Sequence, residues 1–401
     1  MSVMTDNRNA SSRGTRRVRL HAALCALLLA QFSTSALAGS AEQAKRIYER
    51  IAGVPPPPAV LQQMITAING QPGQAGLLAA AAIATSAPTF YNVTLKNFVI
   101  PWTNRDQTVF APFNDYAATV IGMVRDDVPF NTALSADLLY TVNGASPAPS
   151  AANNDHYAAA EANGVDLSTA LHATSQSAVY GTPTAATAGL ITTRAAAAAF
   201  FINGTNRAMF RFTMINHFCT DMPTLMDTTR PSDRIRQDVA RSPGGDSRIF
   251  LNNCVGCHSG MDPMVQAFAY YNFDATSGQM QYTANQVQPK YFINAANFPF
   301  GFITPDDSWS NRWRSGPNTV LGWSNSLPGS GSGAKSLGQE LASSTTFAQC
   351  QVTKVFQAVC FRAPVSTTDL ATVGAITSGF TSGGYRLKQV FQQSAAACAG
   401  S

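Results

Sequence analysis

The sequence has few charged residues and, beyond its N-terminal region, no long apolar run. Only 12% of its 401 residues are Asp, Glu, Lys or Arg, whereas about 25% is usual. Five of the 27 basic residues and one of the 22 acidic residues lie within positions 1–38, so the remainder is close to neutral. Such a chain lacks the basic surface that nucleic-acid binding requires, and we exclude that class. The hydrophobic fraction of 45% excludes disorder throughout.

The segment 1–38 has the pattern of a secretory signal peptide. Its arginines precede an apolar run at 22–30, and Ala36-Leu37-Ala38 places small residues at a cleavage site. The apolar run is far shorter than the roughly 20 residues of a membrane span, and no later run reaches that length. We therefore predict an exported protein of the periplasm or cell surface, whose mature chain has no transmembrane segment.

One motif carries chemistry, Cys254-Val-Gly-Cys257-His258. Two thiols about one helical turn apart can add to the two vinyl groups of a porphyrin, and the following imidazole can bind the iron. The pattern C-x-x-C-H is therefore typical of c-type haem attachment. A thioredoxin-type pair needs a βαβ context and a zinc site needs four ligands, and neither is visible near the motif. A structural disulfide would leave His258 unexplained. We predict one covalently attached haem c (heme c), with His258 as proximal ligand.

The ligand on the distal face of the iron is not fixed by the motif. No histidine follows His258, and the later methionines are Met261, Met264 and Met280. Met261 would have to cross the porphyrin plane within one helical turn, so we exclude it. His217 ends a predicted helix ahead of the motif and has enough intervening chain to fold back over the iron. The candidates are His217, Met264 and Met280, with an open or water-filled position as the alternative.

Other side chains near the motif have two interpretations each. Four arginines either hold the haem propionates or form a solvated face balanced by acidic neighbours: Arg234, Arg236, Arg241 and Arg248. Six aromatic residues either line the haem pocket or, as the usual burial of aromatics favours, form core: Phe298, Phe300, Phe302, Trp309, Trp313 and Trp323. We expect His156 and His172 to be solvated.

Apolar periodicity and helix-breaking residues predict a mainly α fold, with helical domains around the single haem. We expect an N-terminal helical domain at 39–142 and an Ala/Ser/Thr-rich insertion or boundary at 143–192. The haem-binding cytochrome c region is 193–335. Within it an irregular, aromatic- and Gly/Pro-rich segment follows the motif at 259–335. A C-terminal three-helix domain occupies 336–401, with helices near 345–361, 368–379 and 384–397.

The motif and the residues after it resemble a known family. Residues 254–263 run from the haem motif into Ser-Gly-Met-Asp-Pro, and 268–274 read Phe-Ala-Tyr-Tyr-Asn-Phe-Asp. Both resemble the signature of planctomycete-type cytochrome c proteins. The stretch 337–387 is similar to that family's terminal helical domain, and 114–139 resembles its upstream domain more loosely. Gln-Met-Gln-Tyr at 279–282 stands where the family usually has a Gly-Arg-Trp-Arg-like turn. The resemblance implies an exported haem protein and says little about a substrate.

The four other cysteines of the mature chain predict two disulfides, because the protein is expected to be exported. Cys350 and Cys360 lie on one predicted helix, about 15 Å apart, which is too far for the Cα spacing of about 5.5 Å in a disulfide. Short connections favour an up–down–up order of the tail helices, which brings Cys360 beside Cys398. We predict the pairs Cys360–Cys398 and Cys219–Cys350, with free buried thiols as the alternative.

Together these features predict an exported monohaem c-type cytochrome that transfers electrons to an unidentified redox partner protein. One alternative is a haem enzyme of peroxidase or oxygenase type with an open sixth iron position. The length of the mature chain favours it, and the lack of a visible distal acid–base pair disfavours it. Another alternative is an envelope polymer-binding protein with an accessory haem, which clustered exposed aromatic side chains would favour.

Overall fold

The computed structural model describes residues 39–400, so the predicted signal peptide lies outside the described residues. Helix makes up 57% and strand 7%, which confirms the mainly α class. The α-helices are α1 (Ser40–Ala52), α2 (Pro58–Gly70), α3 (Gln74–Ala84), α4 (Lys96–Val99), α5 (Asp115–Arg125), α6 (Asp155–Ala162), α7 (Leu167–Ala170), α8 (Gln176–Tyr180), α9 (Arg194–Ala196), α10 (Arg207–Phe218), α11 (Ser247–Ile249), α12 (Val255–Val265), α13 (Gly333–Ala342), α14 (Thr345–Cys360), α15 (Thr367–Ser382) and α16 (Leu387–Ala397). Within 39–400, no helix is both long and apolar enough to cross a membrane.

Short π-helical segments and three two-stranded β-sheets accompany the α-helices of the described chain. The π-helical segments are Phe90–Leu95, Ala197–Phe201 and Phe250–Cys254. Three two-stranded antiparallel sheets pair β1 (Leu139–Val142) with β2 (Leu171–Thr174), β3 (Tyr271–Asp274) with β4 (Gln279–Tyr282), and β5 (Ser308–Ser310) with β6 (Ser330–Ser332). α6 and α7 lie between β1 and β2, whereas turns and 3-10 segments connect the strands of the other two pairs, which lie in the irregular segment after the motif.

The first helices form where the sequence predicts them. α1 buries Ala44, Ile47, Tyr48 and Ile51, which are spaced to share one helix face. It ends at Gly53, whose φ of 72° is the left-handed conformation that glycine adopts readily. α2 has proline in its first turn, where the missing N–H removes no helical hydrogen bond. These local signals are enough to place both helices within a residue or two.

The N-terminal and C-terminal helices share one hydrophobic core. α1 and α3 both pack against α16, and the rings of Phe90 and Phe391 meet edge to face with centroids 5.1 Å apart. One continuous cluster of buried side chains extends from Ala44 to Ala399. The first and last helices of the described chain therefore pack against each other. The predicted domain boundaries stay predictions.

Both predicted disulfides are confirmed. Cys360 and Cys398 are bonded with Cα atoms 5.7 Å apart, and Cys219 and Cys350 are bonded with Cα atoms 5.4 Å apart. α14, α15 and α16 pack against one another, as the up–down–up order requires. The second bridge ties the end of α10 to α14.

Three local expectations differ from the structure. α12 continues to Val265 through Pro263, because Met261, Met264 and Val265 are buried and their packing offsets the hydrogen bond that proline removes. α13 is an additional helix at the start of the predicted C-terminal domain. His156 is buried rather than solvated, because its Nε2 accepts from the Val142 N–H at 2.9 Å; His172 is exposed as expected.

Candidate haem-attachment site

The C-x-x-C-H motif lies on one helical run made of α11, the π segment Phe250–Cys254 and α12. We call residues 247–265 the attachment run. Its spacing of three to four residues places Leu251, Cys254, His258 and Asp262 near one face. Cys254 and Cys257 are free and half-buried, whereas the other cysteines within 39–400 form disulfides. The run therefore carries two free thiols and an imidazole within five residues.

The loop after α10 packs against the middle of the motif. The Asp227 N–H donates to the Gly256 carbonyl oxygen at 3.1 Å, and a Cβ at Gly256 would stand 3.2 Å from the same nitrogen. Cys257 Sγ lies 3.4 Å from the Met222 carbonyl oxygen. Burial, followed by the nearby Cys254 and Asp221, raises the pKa of the Cys257 thiol. Glycine at 256 thus lets this loop approach the backbone between the two cysteines.

His258 is oriented by a buried carboxylate one helical turn further along. Its Nδ1 lies 3.2 Å from Oδ2 of Asp262, whose side chain is fully buried. Burial alone would raise the pKa of Asp262, but Arg207, His258 and Arg236 outweigh it and hold that pKa well below its usual range. Asp262 is therefore a carboxylate, which accepts from Nδ1–H and leaves Nε2 as the free coordinating atom.

Arg207, at the start of α10, connects this carboxylate to a second one. Its Nε and Nη2 donate to the Asp262 oxygens at 2.7 and 2.9 Å. Its Nη1 and Nη2 donate to Asp238 at 2.7 and 3.0 Å. Two bidentate pairs on one guanidinium fix its plane, because each carboxylate constrains two donors at once. The sequence analysis missed Arg207, Asp238 and this role of Asp262; the four-residue spacing from His258 was the available signal.

Arg236 is a buried cation whose hydrogen bonding is incomplete. Its Nη2 donates to the Thr205 carbonyl oxygen at 3.2 Å, and its Nε lies 3.8 Å from Asp238. Nε and Nη1 have no hydrogen-bond partner although they are buried. Burial lowers the pKa of Arg236, and the neighbouring Arg207 cation adds to this effect. An additional carboxylate, such as a haem propionate, would accept hydrogen bonds from these two buried donors.

An apolar groove of about 440 Å³ opens beside the attachment run. We call it the phenylalanine groove: Phe250 and Leu251 come from the run, and Phe298, Phe300 and Phe302 face them. Arg241 lies within it, 4.9 Å from the Phe250 ring centroid and 4.4 Å from that of Phe298. Phe300 is 89% exposed and Leu251 is 56% exposed. The lining also includes Asp233 and the serines Ser232, Ser242 and Ser247, and the motif residues Cys254, Cys257 and His258 are not part of it. The phenyl rings and the Arg241 guanidinium are groups that a flat ligand with carboxylates would use.

The remaining arginines and tryptophans lie in other settings. Arg248 is largely exposed and pairs with Asp246 at 2.7 Å, and Arg234 lies 4.6 Å from the Phe302 ring centroid. Trp309 and Trp313 are buried, which agrees with the core interpretation. Trp323 is partly buried, and among the groove phenylalanines Phe300 is exposed, Phe298 and Phe302 are partly buried, and Phe250 is buried.

The contacts of His217 place it in the core beside α5 and α14. Its Nε2 lies 3.0 Å from the Tyr116 hydroxyl, and its ring stacks on Phe347 with centroids 6.0 Å apart. Burial, and then the Lys354 cation, lower the pKa of His217 to about 3, so the ring is neutral. A cavity of about 10 Å³, enough for one water, adjoins this ring. The distal role of His217 stays a prediction.

The two methionine candidates occupy different elements. Met264 is fully buried on α12, the helix that also carries His258. Met280 lies on β4, opposite Phe273 of β3, and is packed against the core. The distal roles of Met264 and Met280 both stay predictions.

No protein-family model matches the chain, and no curated protein or solved structure shows significant similarity to it. Within the described residues, no group of three or more His, Cys, Asp or Glu side chains is arranged to hold a metal ion by itself. The candidate site therefore rests on the attachment run, its carboxylate and the adjoining groove.

Proposed function

We propose that the protein is an exported monohaem c-type cytochrome that transfers electrons to a redox partner in the periplasm or cell envelope. Cys254 and Cys257 hold the haem through thioether bonds, and His258 is its proximal ligand. The observation that carries the proposal is the attachment run, in which two free thiols stand beside an imidazole whose Nδ1 is engaged by Asp262. A histidine held in this way offers Nε2 to a metal.

The surroundings of the run supply the other contacts that a haem needs. The phenylalanine groove provides apolar walls for the macrocycle. Arg241 in the groove and Arg236 nearby are the cations that would pair with the haem propionates. Nε and Nη1 of Arg236 are buried N–H donors without a hydrogen-bond partner. When bound, the haem supplies a one-electron iron couple. The chain orients the imidazole, excludes water from Asp262 and leaves the groove side open, so a partner can approach the haem edge.

A haem enzyme with an open sixth position is the second candidate. The pairing of His258 with a buried carboxylate favours it, because such a partner raises the basicity of the ligating imidazole. His217, a predicted distal ligand, contacts the Tyr116 hydroxyl through Nε2 and stacks on Phe347. An iron that His217 does not bind would keep its sixth position open, which also favours the enzyme. Carbon monoxide separates the two candidates: binding to the ferrous protein without denaturation favours the enzyme, and no binding favours a six-coordinate carrier.

Haem attachment is tested by expressing the full chain in a bacterium that matures c-type cytochromes. Acid–acetone extraction should leave the haem on the polypeptide, and the pyridine haemochrome should show two thioether bonds. The double variant Cys254→Ala/Cys257→Ala should lose covalent haem. Cys360→Ala/Cys398→Ala removes the same number of cysteines from a disulfide and should keep it. Haem that passes entirely into the organic phase, or a purified chain without haem, overturns the proposal.

A further inference from the structure

We infer that Asp262 is a positioning residue that gives the proximal imidazole partial anionic character and thereby lowers the reduction potential of the haem iron. The inference rests on the proposed function, since it concerns the iron that His258 would bind. It goes beyond that proposal by assigning the direction in which the chain adjusts the iron couple, and by naming the side chains responsible.

The geometry allows a hydrogen bond from the imidazole to a buried carboxylate. Asp262 Oδ2 lies 3.2 Å from His258 Nδ1, and the Asp262 side chain has no exposed surface. Four residues separate the two positions, so helix α12 itself fixes their spacing. Water cannot compete for the carboxylate, and a charge in such surroundings acts far more strongly than one in bulk solvent.

The carboxylate is held in place from the opposite side. Arg207 donates to both Asp262 oxygens, and Asp238 in turn holds Arg207 with two further bonds. Asp262 therefore cannot rotate away from His258 without breaking a bidentate ion pair. Arg207 neutralises one of the two carboxylates, and Arg236 lies 3.8 Å from Asp238 at the edge of the cluster. The charge aimed at the imidazole is thus fixed in position and direction.

The effect on the iron follows from charge. Oxidation of the iron adds one positive charge to the haem, and a carboxylate behind the ligating imidazole stabilises that charge. The same hydrogen bond makes the imidazole a stronger electron donor. Both effects favour the ferric state over the ferrous state, so they lower the potential. A carboxylate in a structural ion pair without the contact to Nδ1 would lower the potential only through its charge, which is the weaker of the two effects.

The test compares reduction potentials of purified holoproteins. Asp262→Asn preserves the shape of the side chain and removes its charge. At a fixed ambient potential we expect at least a tenfold shift toward reduced iron, which corresponds to about 59 mV for a one-electron couple. Asp238→Asn is the matched control: it removes a carboxylate from the same Arg207 without touching His258, and it should shift the ratio much less. Equal shifts in the two variants, or no shift in Asp262→Asn, overturn the inference.

A spectroscopic measurement on the unaltered protein covers the case in which Asp262→Asn does not fold. In a five-coordinate ferrous protein the iron–imidazole stretching frequency should lie above that of a haem bearing a neutral, water-bonded imidazole. In a six-coordinate ferrous protein, the resonance frequency of the His258 Nδ1–H proton should lie downfield of the same reference. A frequency equal to that reference contradicts the inference. Covalent haem in the unaltered protein is established separately by extraction, so a chain without haem counts against the proposed function, and a haem-bearing chain with a weak bond counts against the role of Asp262 alone.

Discussion

The indole of Trp313 occupies the space directly over Gly260, where a side chain on residue 260 would need to stand. Trp313 is fully buried, and its ring also lies against Phe210 of α10 with centroids 5.8 Å apart. Gly260 follows His258 by two residues on α12. The tryptophan therefore fixes the helix that carries the proximal imidazole, and glycine at 260 is what permits this contact.

Replacing Gly260 by alanine should destabilise the protein although alanine favours helix. Overpacking against Trp313 is expected to cost about 1–3 kcal/mol. Gly374→Ala is the matched control, because Gly374 is exposed in the middle of α15 and nothing lies within 4 Å of its would-be Cβ. That change should stabilise the helix by about 0.5–1 kcal/mol. Urea unfolding followed by far-ultraviolet circular dichroism measures both changes in the free energy of unfolding. If the two variants change it by the same amount in the same direction, the contact does not limit residue 260.

The setting of His217 predicts a core role that a ligand assay can separate from iron binding. His217→Gln should lower the free energy of unfolding by about 1–3 kcal/mol, because it breaks a buried contact with Tyr116. If His217 has only a core role, the carbon monoxide response of the ferrous haem stays unchanged. A response that appears only in His217→Gln would instead identify this histidine as the distal ligand. Met264→Ala and Met280→Ala, measured alongside, test the two methionine candidates in the same way.

A charge placed in the phenylalanine groove should reduce haem incorporation without unfolding the chain. Leu251→Asp puts a carboxylate on an exposed apolar wall next to Cys254, and desolvating it beneath a macrocycle would be unfavourable. The ratio of haem absorbance to protein absorbance should fall. Val365→Asp, at an exposed residue between α14 and α15, changes the same charge and should leave that ratio unaltered. Full incorporation in Leu251→Asp would place the macrocycle outside the groove.

The two disulfides should contribute unequally to stability. They close segments of 131 and 38 residues, and typical contributions are about 2–4 kcal/mol. In the chain-entropy account the longer closure contributes about 1 kcal/mol more. Removing Cys219–Cys350 by a double alanine change should therefore lower the urea midpoint further than removing Cys360–Cys398. Haem content must be matched between the variants, because a ligand bound to the folded state also stabilises it. The reverse order would contradict this account.

Local signals made parts of the fold predictable. Gly53 stops α1, the proline run ahead of α2 sets its start, and apolar periodicity marks the tail helices, all through interactions within a few residues. The same locality explains the errors. The sequence predicts an irregular segment from residue 259, yet burial of Met261, Met264 and Val265 continues α12 to Val265. His156 lies in a polar stretch, yet its Nε2 accepts a hydrogen bond from the Val142 N–H and the side chain is buried.

The sequence by itself determined the chemistry that the site offers and the covalent links of the chain. C-x-x-C-H fixes the spacing of two thiols and an imidazole along one helix, and helix length excludes a Cys350–Cys360 bond. Only the tertiary structure decided which charges surround that imidazole. Arg207 is distant from His258 along the chain and meets Asp262 because α10 packs against α12, and Asp238, between α10 and α11, binds the same Arg207. Long-range packing of this kind leaves no periodic trace in a sequence, since each helix needs only an apolar face to pack.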